Sequence, residues 1–317
     1  MSTLDEKRLL AQIATLYYTD GIKQTDIAKR LSLSQSFVSR ALTRCISEGI
    51  VRINVIPPSN IFLELEQQLQ KHFSLSQVIV VNSTDRDEQF HIQQAIGSAS
   101  AYYLQVSLQA GQLIGISAWS DTIKAMVDTV SPLNIKAKGV VQLLGGVGVN
   151  GNVEANLSTY TLAQKLNCES YLLPSQSLNA TEDMNYKKQL ISTPEVAKVV
   201  ALFEQIDCAI VGIGCLEPSP LLKKSGIYYS AEMKDRLQAQ GAVGDICLHY
   251  FDRYGNPVLN EDEDPVIGIE LSLLKKCPRV VALAGGKEKA EAIKSALLGG
   301  YIDVLIIDKQ TAQLLIN

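Results

Sequence analysis

No run of about 18 apolar residues occurs in the 317-residue chain, so no membrane-crossing helix and no membrane partner is expected. The first ten residues, MSTLDEKRLL, lack the apolar stretch and small-residue cleavage site of an export signal. None of the six cysteines, at 45, 168, 208, 215, 247 and 277, belongs to a Cys-x-x-Cys pair. That removes the usual thiolate metal spacings, and neither a metal nor a disulfide framework is expected. Most of these thiols stand beside Ile, Leu or Ala, where Cys acts as a small buried hydrophobe. Internal repeats and low-complexity segments are missing too. With 46% apolar and 20% charged residues the composition is that of a globular chain, not a disordered or collagen-like one. These absences predict a reduced, cytoplasmic, soluble protein, and its length predicts two domains.

A basic surplus is also missing. The formal net charge is −4, which for the chain as a whole argues against nucleic acid, because phosphates are met by Lys and Arg. The average conceals a split. Residues 1–52 hold eight Lys/Arg against five Asp/Glu, a surplus of three, which leaves a deficit of seven in the remainder. Charge asymmetry of this kind points to separate partners for the two parts.

The positive part reads as three short helices. Thr3 and Glu6 have capping-box spacing, Leu9, Leu10, Ile13, Leu16 and Tyr17 recur at helical period, and Asp20-Gly21 supplies a stop. Ile27, Ala28 and Leu31 mark a second helix from Thr25. Ser32-Leu33-Ser34 makes a tight turn before a third, Gln35 to Glu48. Two helices joined by three residues cross steeply, as in a helix-turn-helix. On the third helix Val38, Ala41, Leu42 and Cys45 form an apolar stripe. The other face carries Gln35, Ser36, Ser39, Arg40, Thr43 and Arg44, with no acid before Glu48. Arg can bridge guanine acceptors, Gln adenine, and Ser or Thr a phosphate, so Gln35, Ser36, Ser39, Arg40 and Arg44 are the candidate DNA contacts. The alternating stretch 49–56 would be a wing, and Pro57-Pro58 a boundary.

Past a helix with Ile61, Leu65, Leu69 and Phe73 at strict fours, the rhythm changes. That stripe is either a pairing face or a seam with its own domain. β-branched runs then alternate with helical stretches: Val78–Val81, Leu113–Ser117, Val140–Leu144, Tyr171–Leu173, Cys208–Ile213, Val280–Ala284 and Val304–Ile307. This is the pattern of βαβ units around a parallel sheet covered on both faces. Three of the turns after these runs are glycine-rich: Gly145 to Gly151, Gly212-Ile213-Gly214, and Gly285-Gly286 followed by Lys287 and Lys289. Each can be a phosphate cradle or simply a tight strand-to-helix connection. Gly146, Gly148 and Gly151 match a dinucleotide fingerprint, but Glu169 stands before its strand, at the wrong end for a ribose, and no nicotinamide or other cofactor is expected. Asp245, held by Gly241 and Gly244 at a strand start, can accept two sugar hydroxyls or cap a turn.

Residues 13–34 (IATLYYTDGIKQTDIAKRLSLS), Val38-Ser39-Arg40-Ala41-Leu42 and Glu48-Gly49-Ile50-Val51 resemble the SorC family of sugar-responsive bacterial transcriptional regulators. The resemblance continues through the glycine turns and covers nearly the whole chain. It implies an α/β fold: an N-terminal winged helix-turn-helix (1–56), a linker helix (57–73), and a Rossmann-like effector-binding and oligomerisation domain (74–317). That last domain would be related to sugar-phosphate isomerases and glucosamine-6-phosphate deaminases. It further implies operator DNA and a sugar or sugar phosphate as partners, a homotetramer, and the control of a carbohydrate-utilisation operon. In the effector pocket it implies Asp245 as hydroxyl acceptor, Gly145 and Gly146 as loop amides, and Lys289 rather than Lys287 as the phosphate or hydroxyl partner; Gly214 of the second glycine turn is a further effector-binding candidate. Ser117-Ala118-Trp119-Ser120-Asp121-Thr122 departs from the family's Ser-Trp-Gly-x-Thr by an extra residue and a Ser for Gly. The alternative reading is an isomerase- or deaminase-like enzyme, which needs a carboxylate and His as acid and base. His91 and His249 have no partner at motif spacing and read as structural, Glu261–Asp264 reads as a solvated loop, and no catalytic residue is expected.

Overall fold

In the computed structural model the described residues are 4–51, 61–82, 89–146, 151–175, 183–217 and 229–316. Chain contacts divide it at residue 58 into two units. In the first, α1 (Leu4–Ala14) runs into a π-helical turn at 15–19, α2 spans Gln24–Leu31 and α3 Gln35–Ser47. The expected helix does continue past Ala14, but its last turn is wider: the Asp20 amide donates to the Thr15 carbonyl, five residues back. Gly21 ends it in the left-handed region, at φ +67°. Ser32, at φ +54°, caps α2, and the Ser34 hydroxyl accepts the Phe37 amide at 3.2 Å to start α3. Leu10, Ile13, Ile27, Val38, Leu42 and Cys45 close one small core between the three helices. The Thr3 capping box, residues 52–56 of the expected wing and Pro57-Pro58 lie outside the described residues.

The second unit begins with α4 (Leu63–Phe73), β1 (Gln77–Val81) and α5 (Gln89–Ser107). Then come β2 (Leu113–Ile116), α6 (Asp121–Thr129), β3 (Gly139–Gln142), α7 (Gly151–Lys165) and β4 (Glu169–Tyr171). After α8 (Met184–Ile191) and α9 (Pro194–Val200) follow β5 (Cys208–Gly212), β6 (Gly214–Cys215), α10 (Ala231–Ala239), β7 (Ala242–Ile246) and β8 (His249–Asp252). The short α11 (Leu271–Leu274), β9 (Val280–Leu283), α12 (Ala290–Leu298), β10 (Val304–Asp308) and α13 (Lys309–Ile316) complete it.

All seven expected apolar runs become strands of one parallel sheet, ordered β1-β10-β9-β5-β2-β3-β4. The fourth is displaced by two residues: it spans Glu169–Tyr171, so only Tyr171 of the expected run 171–173 is in strand. Successive strand residues face opposite cores, with Cys208 and Ile210 on the α5–α6–α7 side and Ala209 and Val211 on the other. From β2 the chain winds outward through β3 to β4, and from β5 outward the other way through β9 to β10. Crossovers therefore diverge at the β2–β5 pairing, which opens a crevice at the strands' carboxyl ends.

One open alternative is narrowed and one expectation corrected. In the α4 stripe Leu69 is fully buried and Leu65 and Phe73 pack on the same core, the seam of the two alternatives, while Ile61 stays exposed. Asp245 lies near the end of β7, not at a strand start, because β6, β7 and β8 form a separate antiparallel sheet. Its β7–β8 turn places Cys247 and Leu248 both at positive φ, +54° and +65°, the pattern of a type I′ turn built without glycine.

Candidate functional site

In the helical unit Gln35, Ser36, Ser39 and Arg40 are all solvent-exposed on one side of α3, opposite the buried Val38, Ala41, Leu42 and Cys45. Arg44 behaves differently from the free contact expected of it. Its guanidinium donates to Glu6 at 2.7 Å and to Glu48 at 2.6 and 2.9 Å, which raises its pKa further and ties α3 back to α1. Thr43 turns its hydroxyl onto the Ser39 carbonyl at 3.2 Å.

In the second unit a cavity of about 550 Å³ occupies the switch-point crevice. Ser117, Trp119, Ser120 and Thr122 reach it from the turn after β2, Leu144 from the end of β3, and Gly212, Ile213 and Gly214 from the turn after β5. Asp245, Cys247 and Leu248 come from the antiparallel hairpin, Lys289 from the turn after β9, and Gln89 and Gln93 from the first turns of α5. Gly214 pairs directly with Asp245 across β6–β7, and a Cβ there would strike the Asp245 carboxylate, so only glycine lets that acid lie flat against the neighbouring strand. Burial pushes the Asp245 carboxyl up to about 6. The Leu248 amide at 2.9 Å, Lys289 and His249 pull the other way and lose. The same amide bond steadies the strained turn. The Lys289 ammonium donates one hydrogen to the Ile213 carbonyl at 3.1 Å. Burial pushes the Cys247 thiol up to about 12 against a hydrogen bond with Ser117, so it is a neutral wall and not a nucleophile.

Of the expected pocket residues, Gly214, Asp245 and Lys289 are brought together, while Lys287 lies elsewhere. Gly145 and Gly146 are corrected: neither lines the cavity, since the Gly145 amide donates to Ile267 and the Gly146 amide to Ser175, each a backbone carbonyl. The Gly145 carbonyl instead accepts the Trp119 indole at 3.0 Å and sets that ring in the wall. In the third glycine turn the Gly286 amide donates to Asp308 at 3.0 Å and to Thr311 at 2.9 Å. Residues 147–150, including Gly148 of the first turn, lie outside the described residues.

Two further expectations change. Asp264 is not in a solvated loop but buried, and its carboxylate meets His249 Nδ1 at 2.7 Å. Burial lowers the His249 pKa, but Asp264 and Glu270 outweigh it and the net shift is upward. The Lys187 ammonium joins the group, donating to the Asp264 carbonyl at 2.8 Å and to Glu270 at 3.0 Å. An acid and a His are therefore paired as catalysis would need, but they line a separate cavity of about 180 Å³ and not the one that holds Asp245 and Lys289.

A doubly wound parallel sheet whose switch-point crevice has largely apolar walls and a few polar groups, carried on the same chain as a small three-helix unit, defines a Rossmann-type ligand-binding protein with a second module. Residues 59–317 match the family model described as "Putative sugar-binding domain". Over 315 residues the chain is 33% identical to the transcriptional regulator LsrR of Escherichia coli K12, covering 97% of this chain and 94% of that one. It is 30% identical to the deoxyribonucleoside regulator of Bacillus subtilis, covering 99% and 98%. The crystal structure of the full-length sorbitol operon regulator SorC from Klebsiella pneumoniae superposes with a TM-score of 0.73 at 28% identity, covering 99% of this chain and all of that one. The chain belongs to this SorC family of sugar-binding-domain transcriptional regulators.

Proposed function

We propose that the protein binds operator DNA of a carbohydrate-utilisation operon and that a sugar or sugar phosphate in the switch-point cavity sets its hold on that DNA. The observation that carries this reading is the convergence of Asp245 and Lys289 on one sugar-sized cavity. Asp245 can accept two hydroxyls, while Lys289, with hydrogens to spare beyond its bond to Ile213, meets a phosphate or a further hydroxyl. The Gly145, Gly146 and Gly286 amides are committed to the protein itself, and Lys289 is the cation that lines the cavity among the described residues. The names of the relatives, regulators of sorbitol and deoxyribonucleoside systems, support the same class of ligand.

In this reading residues 1–56 are a winged helix-turn-helix, 57–73 a linker, and 74–317 the sensor. α3 lies in the major groove with Gln35, Ser36, Ser39 and Arg40 toward the bases and phosphates, and Arg44 braces the helix from behind. Four or five contacts are too few for tight specific binding, so copies act in symmetric pairs on a palindromic site, within a homo-oligomer that family resemblance makes a tetramer. The ligand favours one arrangement of the sensor and so shifts the population of DNA-competent pairs. No covalent chemistry is required of the cavity, and the enzyme alternative gains no support from a His–Asp pair that lies outside it.

A thermal-shift screen of sugars and their phosphates tests the sensor half: a ligand that binds only the folded state raises the melting temperature. A flat response across the panel would remove the sugar reading. For the DNA half, Arg40→Ala should weaken operator binding about 5- to 150-fold, the equivalent of the ~1–3 kcal/mol of one bidentate base contact, with melting unchanged. Unaltered operator affinity in a gel-shift titration would sink the recognition-helix assignment.

A further inference from the structure

We infer that the small cavity beside His249 is a second ligand site, which takes a short-chain carboxylate between the His249 ring and the Lys275 ammonium. This cavity, of about 180 Å³, is walled by β8, the segment 257–264, α11 with Lys275 just after it, and Tyr301. Among the described residues none lines both it and the switch-point cavity.

His249 is the residue that points to an occupant. It lines the cavity and is only 3% exposed. Its Nδ1 is held by Asp264 at 2.7 Å with Glu270 at 3.6 Å, while Nε2 has no partner among the described residues. A carboxylate can only accept, so Nδ1 carries a hydrogen, and in the charged ring Nε2 is a second donor. The surroundings favour the charged ring: burial opposes it, but Asp264 and Glu270 outweigh burial. A buried N–H without an acceptor costs free energy, and a charged one costs more, so this ring calls for an anion.

The rest of the wall agrees, because its acids are already satisfied and its cations are not. Asp264 accepts from His249 and, through its other oxygen, from the Val266 amide at 3.0 Å. Glu270 accepts from Lys187 at 3.0 Å, and Glu261 from the Ser272 hydroxyl. The exposed Lys275 lies over the Tyr301 ring, 4.6 Å from its centre, and has no hydrogen-bond acceptor among the described residues. A divalent cation is not favoured, since no group of three metal-ligating side chains is present among the described residues. Size and walls select the kind of anion. At ~30 Å³ for each water-sized group the cavity holds roughly six heavy atoms. Tyr250, Leu259, Leu271 and Tyr301 give it apolar sides that suit a short carbon chain. The carboxylate at the chain's end then accepts from both His249 and Lys275.

This site is independent of the regulator reading, and its probe is not a sugar. Sodium propionate titrated into the full chain at pH 6, followed by saturation-transfer NMR, is expected to bind saturably. Lys275→Gln should weaken that binding about threefold or more, the loss of one partly screened charge-assisted hydrogen bond. Lys275→Arg keeps the donors and the ring contact and should retain most of the affinity. Lys276→Gln, at the exposed neighbouring position, should leave it unchanged. The groups that face His249 are Asp264, Glu270, Lys187 and, from β7, Asp245. Propionate stays ionised between pH 6 and 9, so its affinity should fall over that range as His249 loses its charge. This wild-type profile carries the test if Lys275→Gln does not fold. An absence of propionate binding, or an affinity indifferent to pH, would overturn the inference. So would inorganic phosphate bound as tightly as propionate, or release of propionate by Lys289→Gln in place of Lys275→Gln, which would put the anion in the switch-point cavity.

Discussion

Asp245 carries an acid where a neutral group would fold more comfortably. Its folded carboxyl titrates near 6 against an ordinary 3.8, so the folded chain holds that proton more tightly than the unfolded chain does. The stabilisation this gives is fully present below the unfolded value and is lost as pH rises through the folded one. Near neutrality the ionised group is a cost, of up to about 3 kcal/mol for a shift of two units. Asp245→Asn, which still accepts the Leu248 amide, should therefore melt higher than wild type. Its advantage should be larger at pH 7.5 than at pH 5, and the ligand response should be gone. Equal stability at both pH values would contradict the burial argument. At this scale the sequence was only partly legible. Gly214, Asp245 and Lys289, which stand in family-like motifs, line one cavity. Gly145 and Gly146 were misassigned because the acceptors of their amides, Ile267 and Ser175, are distant in sequence and invisible in it. Gln89 and Gln93 carried no signal at all, since a glutamine on a helix looks the same whether it faces a ligand or water.

Six of the seven parallel strands were readable because they are apolar runs, as a buried parallel strand must be, whereas the half-exposed edge strand β4, Glu-Ser-Tyr, lies two residues before its expected place. The antiparallel hairpin was not readable. Its strands, AVGDI and HYFD, are short and mixed, and its turn is Cys247-Leu248 where Asn-Gly would announce a reversal. The left-handed backbone there costs about 1–2 kcal/mol per non-glycine residue. It is held by the Asp245–Leu248 bond, by the Tyr229 hydroxyl donating to the Leu248 carbonyl at 3.3 Å, and by the burial of both side chains. Cys247→Gly removes strain as well as a small buried side chain, so the two effects should offset to within about 1 kcal/mol in urea unfolding. Leu248→Gly loses a large buried side chain for the same relief and should cost several times more. A Cys247→Gly variant as unstable as Leu248→Gly would show that the turn is not strained. The exposed face of α3 was legible for a similar reason: a stripe of four apolar residues fixes which side of the helix must be wet. That Arg44 would turn to Glu6 depended on how α1 packs, which periodicity does not encode.

At the scale of the whole molecule, the net charge of −4 hides a small basic unit and a large acidic one, and the distribution, not the sum, accords with a DNA partner. A last consequence follows from the strand order. The sheet is two half-sheets, β1-β10-β9-β5 and β2-β3-β4, joined along the seam where Ile114, Gly115 and Ile116 pair with Cys208, Ala209 and Ile210. The Ser117 amide to the Ile210 carbonyl, at 2.9 Å, and the Asp207 amide to the Leu113 carbonyl, also at 2.9 Å, extend this seam at its ends. The cavity stands over it, with Trp119 and Leu144 on one half and Gly212 and Lys289 on the other. An occupant that touches both halves is a clasp, and an empty cavity leaves the seam to hold by itself. Amide hydrogen exchange should then slow on ligand binding at Ser117 and across 208–212 more than at the distant β3–β4 edge, the reverse of what a ligand gripping a single loop would produce.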